Sequence, residues 1–336
     1  IDGVTPTPPN DLQSFSGQIT NLTFLLSSQC KGAVAFGEYF IALNYYIIAE
    51  FGDKWYENLD CVVTNSHCKV QRTVRDFIEK AFKQFIYGIN QPAGNRSYQS
   101  PFTNVSYYDH TYFSSLFGEF YYPDGTKPEW AAINVLQKMF MKFFNKLRTK
   151  KILTFPVETL AMVHDGKDII DKEYKDFCAE MYAEGHSFFT YISDSADSLA
   201  SCCRLRNEFT ENTFNPTSGL TGVMTGSCHV ITLNINRIVQ DCDKAYGLKR
   251  NGGWTENTSF LKDYLVNILE RVYKYHIAYK TMLYEQEEKG MFAACNGGYI
   301  HMNKLYSTIG INGLNEAARC LGLEVSNNPE YIKFLQ

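Results

Sequence analysis

Short apolar segments that alternate with long segments of helical periodicity are the feature that most constrains the fold of this chain. In the helical segments, apolar side chains recur every three or four residues. In the short segments, apolar side chains follow one another and are bounded by turn-forming residues, which is typical of buried strands. Such alternation favours an α/β protein. The predicted strands cover 101–108, 152–157, 187–192, 230–235 and 305–311, and the predicted helices cover 17–50, 70–88, 128–150, 168–184, 259–290 and 312–321.

Length, composition and charge limit the possible classes of protein. With 336 residues, 45% of them hydrophobic, the chain is long enough for one large or two ordinary domains. A net charge of -4 without a long basic run gives no support for a nucleic-acid-binding surface. The sequence contains no run of about 18 apolar residues, so it predicts no membrane span. The proline-containing residues 1–16 predict an extended linker, and residues 17–336 predict one domain.

The cysteines and the glycosylation triplets point to different compartments. Asn-x-Ser/Thr triplets occur at Asn21, Asn95, Asn104 and Asn257, as in secreted glycoproteins. The ten cysteines are irregularly spaced, however, and the sequence shows no signal peptide. Asn104 also falls within a predicted buried strand, where a glycan cannot be accommodated. We therefore favour a reducing cytoplasm.

The sequence offers one weak candidate for a metal site. Cys61, His67 and Cys68 lie close together, but they lack the paired Cys-x-x-Cys spacing that is typical of zinc ligands. The other histidines are scattered singly. We predict no metal site in this chain.

Two adjacent cysteines, Cys202 and Cys203, precede Arg204 in the loop-rich region 193–222. Neighbouring cysteines are poorly suited to an ordinary structural disulfide, because the ring that they close is strained. The sequence leaves two interpretations open for Cys203, a buried apolar residue or a reactive thiol.

Four segments resemble one enzyme family. The segments SLASCCRLRN (198–207) and GSCHVITLNIN (226–236) resemble the finger loop and the following strand of the anaerobic (class III) ribonucleoside-triphosphate reductases, which are glycyl-radical enzymes. QSPFTNVS (99–106) resembles the family's substrate-side strand, and YSTIGINGLNEA (306–317) resembles a strand-to-helix turn late in its barrel. The matches occur in the family's order and extend over residues 18–336.

The resemblance implies a fold and a position within a longer protein. The implied fold is the ten-stranded α/β barrel of glycyl-radical enzymes, incomplete at its C-terminus and with long N-terminal helices. The family's N-terminal ATP-cone and its C-terminal module, which carries a structural zinc site and the glycyl radical, have no counterpart in the sequence. We therefore expect the chain to be the central part of a longer enzyme and to be inactive alone.

The resemblance also implies three catalytic residues. Cys203 matches the cysteine that becomes a thiyl radical, and Cys30 matches a second cysteine that relays the reductant. Asn234 matches an asparagine that faces the substrate in formate-using members. Simple packing roles for Cys30 and a structural amide role for Asn234 remain open.

Four further residues are candidates for binding the nucleotide. Thr103 and Asn104 either orient the substrate or form hydrogen bonds at a strand edge. Gly310 and Gly313 precede a predicted helix, whose free N–H groups can bind phosphate. The other interpretation of these glycines is that they allow tight packing.

The function implied by the resemblance is the reduction of ribonucleoside triphosphates to 2'-deoxyribonucleoside triphosphates for DNA synthesis, with formate as co-substrate. The implied partners are deoxynucleotide or ATP effectors, a radical-generating activase that uses S-adenosylmethionine, and a second copy of the chain. Two alternatives remain: a glycyl-radical enzyme of the pyruvate formate-lyase type, and a secreted, disulfide-linked binding glycoprotein.

Overall fold

A computed structural model describes residues 7–29, 33–64, 69–94, 98–196, 198–200, 206–208, 214–215, 219–220, 226–248, 258–298 and 301–336. The helices in these ranges are α1 Leu12–Gln29, α2 Tyr39–Phe51, α3 Val74–Ile89, α4 His110–Phe117, α5 Trp130–Arg148, α6 Lys172–Ala183, α7 Ile235–Tyr246, α8 Thr258–Glu288, α9 Ala293–Asn296, α10 Leu314–Cys320 and α11 Pro329–Leu335. The strands are β1 Val34–Phe36, β2 Val62–Thr64, β3 Gln71–Thr73, β4 Thr103–Tyr108, β5 Val157–Val163, β6 Phe189–Ser193, β7 Ser198–Ala200, β8 Arg206–Glu208, β9 Phe214–Asn215, β10 Gly219–Leu220, β11 Gly226–Asn234 and β12 Leu305–Asn312.

The chain divides into two compact units. Unit 1 comprises Ile1–Gly226 and Ala293–Lys304. Unit 2 comprises Ser227–Phe292 and Leu305–Gln336. None of the described helices combines the length and the apolar character that crossing a bilayer requires.

Unit 1 is organised around a parallel sheet with the strand order β1-β4-β5-β6. Every residue of β4 is buried, as expected for a central strand of a parallel sheet that is covered on both faces. Val105 and Leu160 pack on one face of the sheet, against residues of α2, α3 and α5. Tyr108 and Ala161 pack on the other face, against residues of α4. The two faces therefore bury different sets of alternating residues.

The N-terminal helices pack closely because of one glycine. We predicted that Gly88 ends the second helix, but α3 continues to Ile89 and Asn90 follows as its C-cap. A Cβ atom on Gly88 would lie only 2.7 Å from Cγ2 of Thr20 in α1. Gly88 therefore allows α1 and α3 to approach each other, and it does not terminate the helix.

The α/β class is confirmed, but the predicted ten-stranded barrel is not observed in the described part of the chain. There, one four-stranded parallel sheet is accompanied by four two-stranded sheets, and none of them closes on itself. The predicted strand 152–157 is also wrong. Ile152 is fully exposed, and β5 begins only at Val157. Helix α1 begins at Leu12, within the range 1–16 that we predicted as a linker.

Unit 2 consists of the strand pair β11–β12 with α7, α8, α10 and α11. Leu233 of β11, Ile238 of α7 and Val272 of α8 form a buried apolar cluster. A second cluster joins α7 to α10 and includes Val239 and Ala317, both fully buried. These contacts fix the end of β11, where one of the predicted catalytic residues lies.

Candidate functional site

Asn104 is a buried amide on the central strand of unit 1. Its Nδ2 donates hydrogen bonds to the backbone oxygen of Val157 at 3.0 Å and to Oγ1 of Thr159 at 2.9 Å. Its Oδ1 is buried and has no hydrogen-bond partner within the described ranges. A buried acceptor without a donor costs about 1–3 kcal/mol, so a donor group supplied by a ligand would be favoured at this position.

Thr103 precedes Asn104 and is equally buried, and its Oγ1 also has no partner among the described residues. Consecutive side chains of a strand point to opposite faces of the sheet. Thr103 and Asn104 therefore lie on opposite faces of the sheet, and a ligand bound on one face would contact only one of them. Of the two, Asn104 lies on the same face as Thr159, whose hydroxyl it contacts.

Asp109 was missed by the sequence analysis, although it follows β4 directly. Its carboxylate accepts hydrogen bonds from the backbone N–H groups of Tyr112 and Val163, both at 2.8 Å. Burial raises the pKa of the Asp109 carboxyl, and these backbone hydrogen bonds oppose the shift. An aspartate between a strand and an apolar helix is a typical N-cap signal, so the sequence did contain the information. The contacts indicate that Asp109 connects α4 to β5.

Glu158 is a second buried carboxyl that the sequence analysis missed. Its Oε1 accepts a hydrogen bond from the Tyr107 hydroxyl at 2.6 Å, and its Oε2 lies 3.2 Å from a guanidinium nitrogen of Arg148. Burial raises the pKa of Glu158 to about 8, although Tyr107 and Arg148 both oppose the shift. Burial lowers the pKa of His186 to about 4, and the charge on Arg148 contributes to that shift. The group connects the end of α5 to the start of β5.

Asn234 does not occupy the buried strand position that we predicted. It is the last residue of β11, its side chain is exposed, and its Oδ1 accepts a hydrogen bond from the Arg237 N–H at 3.0 Å. Asn234 is thus the N-cap of α7. Asn236 lies in that helix, and its Oδ1 accepts a hydrogen bond from Nε2 of Gln240 at 2.9 Å.

The two predicted phosphate-binding glycines are explained by close packing in unit 2. Gly310 lies within β12, not at the start of a helix, and a Cβ atom there would stand 2.7 Å from Oγ1 of Thr232. Gly313 is the N-cap of α10 with a positive φ of 73°, and its Cβ would stand 3.1 Å from that of Asn236. The packing interpretation accounts for both glycines.

We expect Gly310→Ala to destabilise unit 2 by about 1–3 kcal/mol, because the added methyl group overlaps the Thr232 hydroxyl. The second substitution Thr232→Ala should restore most of the lost stability in Gly310→Ala/Thr232→Ala. Urea denaturation of the wild type, both single variants and the double variant measures this coupling. If Gly310→Ala lowers the free energy of unfolding equally in the presence of Thr232 and in the Thr232→Ala background, the packing role is contradicted.

The predicted catalytic cysteines are outside the described residues. Cys30, Cys202 and Cys203, together with Arg204, fall in the gaps between the described ranges. Among the described cysteines, Cys61, Cys178, Cys228 and Cys242 are free. Within the same ranges, no group of three or more His, Cys, Asp or Glu side chains is placed to hold a metal ion.

The comparisons with known proteins decide the family. A sequence profile of the anaerobic ribonucleoside-triphosphate reductases, named NRDD, matches residues 1–336. The chain belongs to this family. Its members are oxidoreductases, as the resemblance implied. No curated protein sequence matches the chain significantly.

Solved structures of anaerobic ribonucleotide reductases have the same fold. The Thermotoga maritima enzyme with citrate in the active site is 25% identical, with a TM-score of 0.70, 100% of this chain covered and 56% of that chain. The same enzyme in complex with dATP and CTP is 24% identical, with a TM-score of 0.70 and coverages of 100% and 52%. A third structure of it, with dATP in the specificity site, is 23% identical with the same TM-score and coverages of 100% and 53%. The chain thus spans about half the length of these reductases.

Membership of the reductase family agrees with the first of the three functions that the sequence left open. The pyruvate formate-lyase type is a different family from the one whose profile matches. The secreted glycoprotein would carry disulfides and a glycan on Asn104 or Asn257, and Asn257 lies outside the described residues. Among the described residues, Cys61, Cys178, Cys228 and Cys242 are free, and Asn104 is fully buried in β4.

Proposed function

We propose that this chain supplies the radical-bearing loop and part of the nucleotide site of an enzyme that reduces ribonucleoside triphosphates to 2'-deoxyribonucleoside triphosphates. The observation that carries the proposal is the family profile, which extends over the whole chain. The Thermotoga enzyme, which shares the fold, binds dATP and CTP. These nucleotides belong to the effector and substrate classes that we propose here.

In the proposed reaction, Cys203 carries the thiyl radical. The thiyl sulfur takes the 3'-hydrogen of the ribose, which forms an S–H bond and leaves a radical on C3'. The 2'-hydroxyl then takes up a proton and departs as water, and formate is oxidised to CO2 and supplies the two electrons and the hydrogen that replace the hydroxyl at C2'. Cys30 relays these reducing equivalents. The S–H group of Cys203 finally returns its hydrogen atom to C3', which restores the thiyl radical. The site must exclude solvent, because stray hydrogen donors quench the radical.

Asn104 is the described residue that best supports nucleotide binding in unit 1. Its Oδ1 is buried without a donor in the described ranges, and its assignment to the nucleotide site rests on the resemblance of QSPFTNVS (99–106) to the family's substrate-side strand. Thr103, on the opposite face, has a supporting role at most. In unit 2, Gly310 and Gly313 shape the β12–α10 turn, and we propose no direct phosphate contact for them.

The remaining features of the proposal follow from the family. We propose that the parallel sheet β1-β4-β5-β6 is part of a ten-stranded barrel. We also propose that the enzyme is a cytoplasmic homodimer, that deoxynucleotides or ATP regulate it, and that a radical-SAM activase generates its glycyl radical. The glycyl radical and the structural zinc would lie in a C-terminal module.

A direct test is nucleotide reduction by enzyme that contains this chain together with a glycyl-radical module. After anaerobic activation, we expect CTP to be converted to dCTP only when formate is present. Conversion with a dithiol but not with formate would leave the reductase assignment intact and refute formate dependence. No deoxynucleotide under either condition, with the glycyl radical confirmed by electron paramagnetic resonance, would refute the function.

Asn234 allows a separate test of formate use. Asn234→Asp keeps the oxygen that caps α7 and therefore should not lower the stability of unit 2. It removes the amide donor and adds a negative charge, so we expect formate-dependent turnover to fall by about tenfold or more. As the matched control, Asn328→Asp alters the N-cap of α11 and should leave turnover unchanged. Full activity of Asn234→Asp would limit Asn234 to its capping role.

A further inference from the structure

Two histidines of unit 2 lie close together, with the Nδ1 atom of one ring facing the Nδ1 atom of the other. Nδ1 of His229, on β11, lies 3.4 Å from Nδ1 of His276, on α8. The two ring centroids are 5.3 Å apart and the ring planes are nearly perpendicular, at 79°. His276 is only 4% exposed, and His229 is partly exposed. One side of the pair is therefore reachable from solvent.

The separation of the two nitrogens is long for a direct hydrogen bond, since N–H donors usually lie about 2.7–3.2 Å from their acceptors. It fits two ligands of one tetrahedral metal ion. Imidazole nitrogens bound at about 2.0–2.1 Å to such an ion stand about 3.3 Å apart, and their ring centroids stand about 5.2 Å apart. Both observed distances agree with a metal ion that is bound by the two Nδ1 atoms.

The surrounding contacts hold both rings in place. The His229 ring stacks on the Tyr279 ring, with 4.2 Å between centroids and 24° between planes. One turn before His276, Val272 is buried in the apolar cluster that attaches α8 to β11. One turn after it, Nζ of Lys280 donates a hydrogen bond to the backbone oxygen of Leu305 on β12, at 2.8 Å. The helix register that brings His276 to His229 is thus fixed on both sides.

We propose that His229 and His276 form a binding site for a divalent transition-metal ion of the Zn²⁺ or Co²⁺ type. Neutral imidazole is a preferred ligand for these ions. The described residues contribute no third His, Cys, Asp or Glu ligand, so water completes the coordination. A site with two protein ligands is open and exchanges its metal, unlike a closed structural zinc site. The bound ion would connect β11 to α8 and stabilise unit 2 by mass action.

The test is a titration of the reduced full chain with Co²⁺ under anaerobic conditions, by calorimetry and visible absorption. We expect one site with the intense visible bands of four-coordinate Co²⁺ and without the near-ultraviolet bands of thiolate ligation. His229→Gln should weaken that site by about tenfold or more, because it removes one of two protein ligands. His301→Gln, which changes an exposed histidine elsewhere, should leave the affinity unchanged.

His276→Gln provides the second measurement, and circular dichroism shows whether that buried variant folds. If it does not fold, the His229→Gln result decides, because that side chain is partly exposed. Unchanged Co²⁺ affinity in His229→Gln would overturn the proposal. The absence of a four-coordinate nitrogen and oxygen spectrum in the wild type would also overturn it, and would leave a shared proton as the link between the rings.

Discussion

Cys203→Ala is expected to abolish nucleotide reduction in activated enzyme while leaving nucleotide affinity nearly unchanged. Alanine keeps the backbone and Cβ but has no sulfur to carry the radical, so no group remains to take the 3'-hydrogen. The expected activity is that of the background. Anaerobic formation of dCTP measures turnover, and calorimetric titration with CTP measures binding.

Cys202→Ala is the matched control, because it removes the neighbouring thiol from the same loop. We expect it to retain most of the activity, since the position before Arg204 is the one that matches the family's radical cysteine. The reverse pattern would assign the radical to Cys202. Substantial turnover by Cys203→Ala and by Cys202→Ala alike would refute a thiyl radical on this loop.

Glu158→Gln is expected to remove a fall in stability that the wild type shows between pH 6.5 and pH 8. The pKa of the buried Glu158 carboxyl is about 8 in the folded protein, against 4.5 as the ordinary value. Because this pKa is raised in the folded protein, the protonated carboxyl contributes its full stabilisation below pH 4.5. This contribution is lost as the pH rises through 8. From pH 6.5 to pH 8 the loss is roughly 1–2 kcal/mol. Glutamine has a similar shape and no proton to lose.

The pH window is set by His186, which lies near the same arginine. Its pKa is lowered to about 4 from 6.5, so its contribution to stability increases as the pH rises from 4 to 6.5. Below pH 6.5 the two groups therefore change the free energy of unfolding in opposite directions as the pH rises. Above pH 6.5 only the contribution of Glu158 still changes, and that of His186 is constant. Tyr107, Tyr174 and Tyr39, which face the cluster, stay protonated throughout, because burial raises the pKa of each phenol.

Urea denaturation at intervals between pH 6.5 and pH 8 measures the effect. Glu173→Gln is the control, since this carboxylate is 83% exposed and pairs with Lys138 at the surface. Its stability should follow the wild-type curve. If the free energy of unfolding of Glu158→Gln falls with pH as steeply as that of the wild type, another group titrates in this range.

The amphipathic helices could be predicted well from the sequence, because their apolar faces are repeated along one segment. The predicted 70–88 and 128–150 correspond to α3 and α5 with boundaries only a few residues away. β5 was harder, because a strand buried on both faces has no alternation to fix its limits. The apolar residues of the preceding 152–156 connection were therefore mistaken for its start.

The side chains at the candidate sites depend on contacts that periodicity does not contain. The assignment of Asn234 to a strand is confirmed, but the apolar residues that flank it did not indicate that it is exposed and that its contact with the Arg237 N–H makes it the N-cap of α7. The partner Tyr107 of Glu158 lies 51 residues away in the sequence. A lone glutamate in an apolar strand indicates a buried polar group, but the sequence does not give its partners.

The pairing of β1 has a consequence for the order in which this protein is made. Val34 aligns with Thr103, and Asn104 aligns with Val157, so β1 has no neighbour until the ribosome has synthesised β4, and β4 in turn has no neighbour on its other side until β5 follows. Such distant pairings slow folding and leave strand edges exposed on the nascent chain. The contact of α1 with α3 involves residues synthesised earlier. We expect this helical layer to assemble first and to serve as the surface onto which the sheet is built.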